Sequence, residues 1–163
     1  MESVRIVPAH AGDVAVILQM IQGLAEYEQL SHEVTATEED LRVSLFGPQP
    51  AAEVVLAYAG KVPVGFALFF HNFSTFLGRP GLYLEDLFVV QDWRGKGVGR
   101  QLLGHVAAIA VQRHCGRMEW SVLDWNESAI VFYRRLGAQV MDDWRICRLT
   151  GDALHRAASS PSA

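Results

Sequence analysis

The chain has 163 residues, 50% hydrophobic and 20% charged, enough for one domain with a sizeable core. Fourteen basic residues against 18 acidic ones give a net charge of −4, which disfavours a dedicated nucleic-acid binder and suits a cationic small-molecule partner. Cys115 and Cys147 make no disulfide framework, no apolar run is long enough to span a membrane, and the opening MESVRIVPAH reads as no secretory leader.

Residues 3–7 alternate as a first strand that Pro8 stops. Val14, Ile17, Leu18, Ile21 and Leu24 recur at helical spacing, predicting a helix over 11–24 with Asp13 in its first turn. Thr37 and Asp40 have the spacing of a capping box, so a short second helix starts after Thr37 and ends before Gly47-Pro48. Strands are predicted over 54–58 and 64–71, joined at Gly60-Lys61. Residues 72–80 read as a loop holding Phe73 and Phe76. The run 81–90, GLYLEDLFVV, is the most strand-like in the chain. Period-two geometry puts Tyr83, Glu85 and Leu87 on one face, with Leu84, Asp86 and Phe88 on the other. Two carboxylates in so apolar a strand are costly unless paired, solvated or used.

A long helix follows, with apolar spacing from Val98 to Ala110 and Gly116 as its stop. A strand over 118–123, a helix from Glu127 or Ser128 to Arg135 and a closing strand over 144–149 complete the pattern. The order β-α-α-β-β-β-α-β-α-β predicts an α/β or α+β fold, one sheet with helices against it. Residues 3–156 read as a single domain and 157–163 as a frayed tail.

The segment Arg94-Gly95-Lys96-Gly97-Val98-Gly99 lies between the strongest strand and the longest helix. Its glycines permit close backbone approach and unusual dihedrals. The amides that open the helix form an anion site, and Arg94, Lys96 and Arg100 add positive charge. A diphosphate is the obvious guest, against the plainer reading of a tight turn with a basic rim. A Walker loop needs GxxxxGK before Ser or Thr, and a dinucleotide fingerprint needs GxGxxG after the first strand; neither matches. The six histidines are scattered, without HExxH or a Cys/His cluster, so no metal is expected.

RGKGVG after LYLEDLFVV resembles the acyl-CoA pyrophosphate loop of the GCN5-related N-acetyltransferases (GNAT), with Arg94, Gly97 and Gly99 filling the motif. GLAEYEQL at 23–30, YLEDLFV at 83–89 and VLDWNESAIVFYRRLGA at 122–138 resemble the diamine branch, which holds spermidine/spermine and thialysine acetyltransferases. The resemblance implies the GNAT acyl-CoA N-acyltransferase fold, a mixed and mostly antiparallel sheet flanked by helices. It implies that main-chain groups of Leu87, Phe88 and Val89 bind acetyl-CoA at a splayed strand edge. Arg94, Gly95, Lys96, Gly97, Val98, Gly99 and Arg100 would wrap its pyrophosphate. Asn126, Glu127, Ser128 and Ala129 would line the pantetheine, with Tyr133 near the thioester sulfur. Tyr27, Glu28, Glu85, Glu119, Trp120 and Ser121 would meet the amine, with Asp142 the nearest match to a further acidic contact. The branch also implies a homodimer; a cytoplasmic enzyme is expected, with no nucleic-acid or membrane partner.

The implied reaction moves acetyl from acetyl-CoA to a primary amine of a small cationic acceptor, thialysine-like or a diamine or polyamine. The amine arrives protonated, with a reference pKa near ~10, and must lose a proton before it attacks. Glu85, directly or through water, is the expected acceptor, and Tyr133 the donor to the departing thiolate. The segment 139–144 is shorter than the branch's usual acidic loop, which favours a short aminoalkyl acceptor at least as much as a long polyamine. Two rivals stand beside this reading: a GNAT that acetylates protein N-termini or lysines, and an acyl-CoA-binding module without turnover.

Overall fold

The computed structural model describes residues 3–159. The backbone contacts divide the chain into two compact units that meet after Ser121.

The first unit holds a five-stranded sheet in sequential order: β1 (Val4–Pro8), β2 (Glu53–Ala59), β3 (Val62–Ser74), β4 (Arg79–Val89) and β5 (Met118–Glu119). The first four strands are antiparallel neighbours, and β5 joins β4 in parallel. The parallel step needs a crossover, which α3 (Val98–Gln112) supplies. α1 (Val14–Tyr27) and α2 (Glu38–Phe46) come between β1 and β2. α2 starts where its sequence says: Thr37 accepts a hydrogen bond from the Asp40 amide at 3.1 Å, and Asp40 accepts one from the Thr37 amide at 2.8 Å.

Val14, Ile17 and Met20 of α1 and Leu41 and Leu45 of α2 pack with Val54, Leu56, Phe66 and Phe88 in one buried core. α3 buries Val98, Leu102, Leu103, Val106 and Ala110. A Cβ on Gly65 would stand 3.1 Å from the Leu102 side chain, so this helix lies close on β3. The expected α+β class and mostly antiparallel sheet are those observed.

Several expected boundaries move. The first helix is a 3-10 turn over Ala11–Asp13 followed by α1, which runs on to Tyr27. The loop expected over 72–80 shrinks to four residues, because β3 and β4 pair as far as Ser74 and Arg79. Ladder bonds there override a polar sequence. The alternation expected along 81–90 also breaks. Phe69 pairs with Leu84 and Leu68 with Asp86, leaving Glu85 as the extra residue of a β-bulge. A one-residue slip exchanges the faces of a strand. Phe88 therefore packs in the core under α1, whereas buried Leu82 and Leu84 lie outside that core.

The second unit, from Val122, contains α4 (Glu127–Arg135) and α5 (Gly151–Ser159). The strand expected over 118–123 is confined to Met118–Glu119, since only these residues find partners, Leu82 and Tyr83. The closing strand expected over 144–149 does not form among the described residues. Its apolar residues alternate, but Trp144 and Ile146 are 77% and 74% exposed, and no ladder partner faces them. α5 follows the segment expected to be the closing strand and takes in part of the expected frayed tail, up to Ser159; residues 160–163 lie outside the described residues.

Candidate active site

In the first unit, a 3-10 turn over Gln91–Trp93 leads from β4 into the glycine segment. Gly95 and Gly97 have φ of 73° and 82°, a left-handed conformation that costs any residue with a Cβ. Gly97 is the N-cap of α3 and offers no side chain to the first turn. The first intrahelical bond runs from the Gln101 amide to the Gly97 carbonyl, so the amides of Val98, Gly99 and Arg100 precede the ladder. A Cβ at Gly95 or Gly97 would meet no protein atom within 4 Å, so these glycines are open on that side. Bare amides, a helix dipole and an open approach suit the pyrophosphate of acetyl-CoA. Lys96 lays its ammonium 4.7 Å from the Trp93 ring centroid.

β5 pairs only with Leu82 and Tyr83 of β4. β5 ends at Glu119, and Leu87, Phe88 and Val89 lie on the stretch of β4 that has no ladder partner on that edge among the described residues.

Three carboxylates gather around the bulge and the end of α1. Glu85 is exposed, whereas Asp86 and Glu28 are partly buried. Burial, then the neighbouring charges of Glu85 and Glu28, push the Asp86 carboxyl up to about 7. Burial alone also raises Glu28. α1 reaches this place because residue 23 is glycine: a Cβ there would sit 2.9 Å from the Phe88 ring. One turn later Tyr27 lies under Arg94, whose guanidinium carbon is 4.6 Å from the ring centroid.

Glu119 ends β5, and Trp120 and Ser121 follow it. Glu119 is already engaged, its Oε1 lying 3.1 Å from Arg117 Nε. The Ser121 hydroxyl shares a 2.9 Å hydrogen bond with that of Tyr83. Asp86 was absent from the site expected by sequence. Its signal was present: a second carboxylate in the most apolar strand.

The second unit holds the remaining expected residues. Asn126 caps α4, its Oδ1 accepting from the Ala129 amide at 3.4 Å and from the Ser128 hydroxyl at 3.3 Å. Glu127 lies in the first turn, where its negative charge complements the positive end of the helix dipole. Tyr133 is partly buried, with its ring centroid 5.4 Å from that of Phe132. Asp142 is exposed in the irregular segment between the two helices. Among the described residues, no group of three or more His, Cys, Asp and Glu could hold a metal ion, and no helix is long and apolar enough to cross a membrane.

Comparison with known proteins agrees with this geometry. A thialysine N-epsilon-acetyltransferase of Mus musculus is 38% identical, over 97% of this chain and 99% of its own. An L-ornithine N5-acetyltransferase of Arabidopsis thaliana is 36% identical over 92% of this chain and 86% of its own. Among solved structures, an integron cassette protein from the mobile metagenome of V. cholerae superposes with a TM-score of 0.80 at 28% identity, covering 98% of this chain and 99% of that one. The model of the acetyltransferase (GNAT) family matches residues 20–138, which include the glycine turn, the bulged strand and the Asn126-capped helix. The chain belongs to the acetyltransferase (GNAT) family and is an acetyl-CoA-dependent acetyltransferase.

Proposed function

We propose that the acceptor is the side-chain amine of a small cationic compound of the thialysine or ornithine kind. One observation carries this reading: Glu28, Glu85 and Asp86 meet beside the same strand that leads into the glycine turn. A concentrated negative charge attracts an ammonium and raises its local concentration. The relatives named for thialysine and ornithine acetylation support the same class.

Acetyl-CoA enters as substrate, with its pyrophosphate on the residues 94–100 and its thioester end along Leu87, Phe88 and Val89. Asn126, Glu127, Ser128 and Ala129 line the pantetheine. Glu28 and Tyr27 receive the acceptor, with Glu119, Trp120, Ser121 and Asp142 as outer contacts. The acceptor ammonium gives its proton to Glu85, directly or through water. Asp86, with its carboxyl near neutrality, shares that task, since a base works best when its pKa lies near the working pH. The free amine adds to the thioester carbonyl, forming the C–N bond. The adduct expels the thiolate, which takes a proton from Tyr133 or bulk water, and the nitrogen gives up its second proton to the carboxylates. No acyl-enzyme is needed, because holding the two substrates together supplies the rate.

The reading places residues 3–156 in one GNAT domain of a cytoplasmic homodimer, with no nucleic-acid or membrane partner. Exposed Trp144, Ile146 and Leu149 support an association of copies. Sedimentation of the purified protein tests it.

Thiol release with thialysine, ornithine, lysine, putrescine, spermidine and a short peptide tests the acceptor. The short cationic amines should turn over best. Preference for the peptide, or for a neutral amine, would overturn the acidic-site reading.

A further inference from the structure

On the face of the sheet that meets α1, side-chain pairs of β3 and β4 succeed one another. Phe66 faces Phe88, Leu68 faces Asp86 and Phe70 faces Tyr83. Successive pairs stand about 7 Å apart, the rise of two strand residues. α1 follows the same course in the first unit. Gly23 lies against the Phe88 ring, and Glu28, the C-cap, acts on the charge of Asp86. The helix ends there, so the pair Phe70 and Tyr83 comes after its end. Phe66 and Phe88 are buried, whereas Phe70 and Tyr83 are only partly so.

The two rings have centroids 5.3 Å apart and are tilted by 35°, an ordinary aromatic contact. The Tyr83 hydroxyl shares its 2.9 Å hydrogen bond with that of Ser121, which satisfies the polar tip and fixes the ring. Glu119 is the partner of Tyr83 on β5. Its Oε1 lies 3.1 Å from Arg117 Nε, and this ion pair leaves no net charge opposite the ring. One step of the ladder from Asp86, the surface is therefore aromatic and neutral. Such a surface favours a carbon chain over a second cation. Contact removes apolar area from water, whereas an ammonium laid there would give up water for no opposite charge.

We infer that Tyr83 is a specificity-determining residue of the acetyl transfer: its ring, backed by Phe70, is the wall on which the carbon chain of the acceptor lies while the reacting amine stands at Glu85 and Asp86. This inference rests on the acidic acceptor site proposed above and deepens it. The carboxylates select a cation at one end, and Tyr83 reads the length of apolar chain behind it. A chain too short to leave the carboxylates gains nothing from the ring.

Ethylenediamine, cadaverine and pentylamine test this. The first two differ only in methylenes, and the third keeps the long chain without a second ammonium. The measurement is kcat/KM by thiol release in the wild type, Tyr83→Ala and Tyr83→Phe. The wild-type-to-variant ratio for each amine cancels its intrinsic basicity. Tyr83→Ala should cost cadaverine and pentylamine about 5- to 30-fold, and ethylenediamine less than about twofold. Tyr83→Phe should stay within about twofold for all three, because the ring remains. Acetyl-CoA affinity should be the same in all three proteins. An equal loss for the three amines, or no loss, overturns the inference. So does a loss for cadaverine alone, which would make the rings a seat for its second ammonium. A loss in Tyr83→Phe as large as in Tyr83→Ala also overturns it, by assigning the effect to the bond with Ser121. If Tyr83→Ala does not fold, Tyr83→Thr, better suited to a strand, takes its place. A wild type that acetylates none of the amines sinks the acceptor class instead. Calorimetric titration of cadaverine onto the CoA complex then decides the wall alone: an affinity that Tyr83→Ala lowers upholds it, and equal or absent binding in both proteins refutes it.

Discussion

The two units spend their apolar residues differently. Up to Ala110 the chain buries 22 hydrophobic residues, with Phe66, Leu56 and Ile17 fully enclosed. From Val122 onward no described residue is buried, and Trp125, Met141, Trp144, Ile146 and Leu149 stand at least 49% exposed. Local signals are equally good in both. Thr37 caps α2, and Asn126 caps α4. Caps and amphipathic spacing set where a helix starts, but a ladder or a second layer is needed to close a core. The unit with the closed core carries the glycine turn and the carboxylates, while the open one carries the tyrosine proposed to serve the sulfur.

The sharpest way to break that contrast is a pair of truncations. Phe66→Ala should cost about 3–5 kcal/mol in denaturant unfolding, the usual toll of emptying a packed aromatic site. Ile146→Ala, at a side chain 74% exposed, should stay within about 0.5 kcal/mol. A large loss at Ile146 would mean that the second unit is closed by something outside the single chain.

Tyr133→Phe tests whether the open unit contributes chemistry. Its ring packs beside Phe132 and is kept by the substitution. We expect the variant to melt like the wild type and bind acetyl-CoA, with kcat lower by roughly 10- to 1000-fold, the range for one lost donor. Unchanged turnover would leave Tyr133 as packing.

Asp86 gives the smallest and most pH-specific effect. Its carboxyl rises from 3.8 in the free residue to about 7 in the fold, mainly through burial and then through Glu85 and Glu28. Between those values the folded chain keeps a proton that the unfolded chain has released. Stability from this group is therefore highest in acid and falls as pH climbs toward 7. Asp86→Asn should flatten that slope and raise stability at pH 8 by on the order of 1–3 kcal/mol. The same variant should lose the neutral limb of the kcat/KM profile. Melting curves from pH 4 to 8, with an acceptor titration at each pH, check both halves.

Much of this was legible in the residues themselves. The hairpin at Gly60, the capping box and the glycine turn depend on neighbours in sequence, and each formed where its residues sat. The strand expected over 144–149 failed because a strand needs a partner, which local alternation cannot supply. The bulge escaped notice because GLYLEDLFVV alternates well enough in either phase, and only pairing with β3 reveals the extra residue. Asp86 escaped with it. Placed by period two alone, it looked like one more solvated charge on an edge. Arg94 was counted with the basic rim of the turn, since sequence shows a charge but not where a long flexible side chain lays it.

The bulge at Glu85 makes β4 a strand read in two frames. Before it, Leu82 and Leu84 are buried outside the core under α1; after it, the count restarts, and Phe88 lands beneath α1. Deleting Glu85 would merge the frames. It would preserve every other residue and turn Phe88 out from under Gly23, so the helix end bearing Tyr27 and Glu28 would lose its seat. A deep substitution map of this strand should therefore show hydrophobic tolerance reversing phase at one position, like a dropped stitch. An insertion or deletion there should be far harder to tolerate than any exchange of side chain.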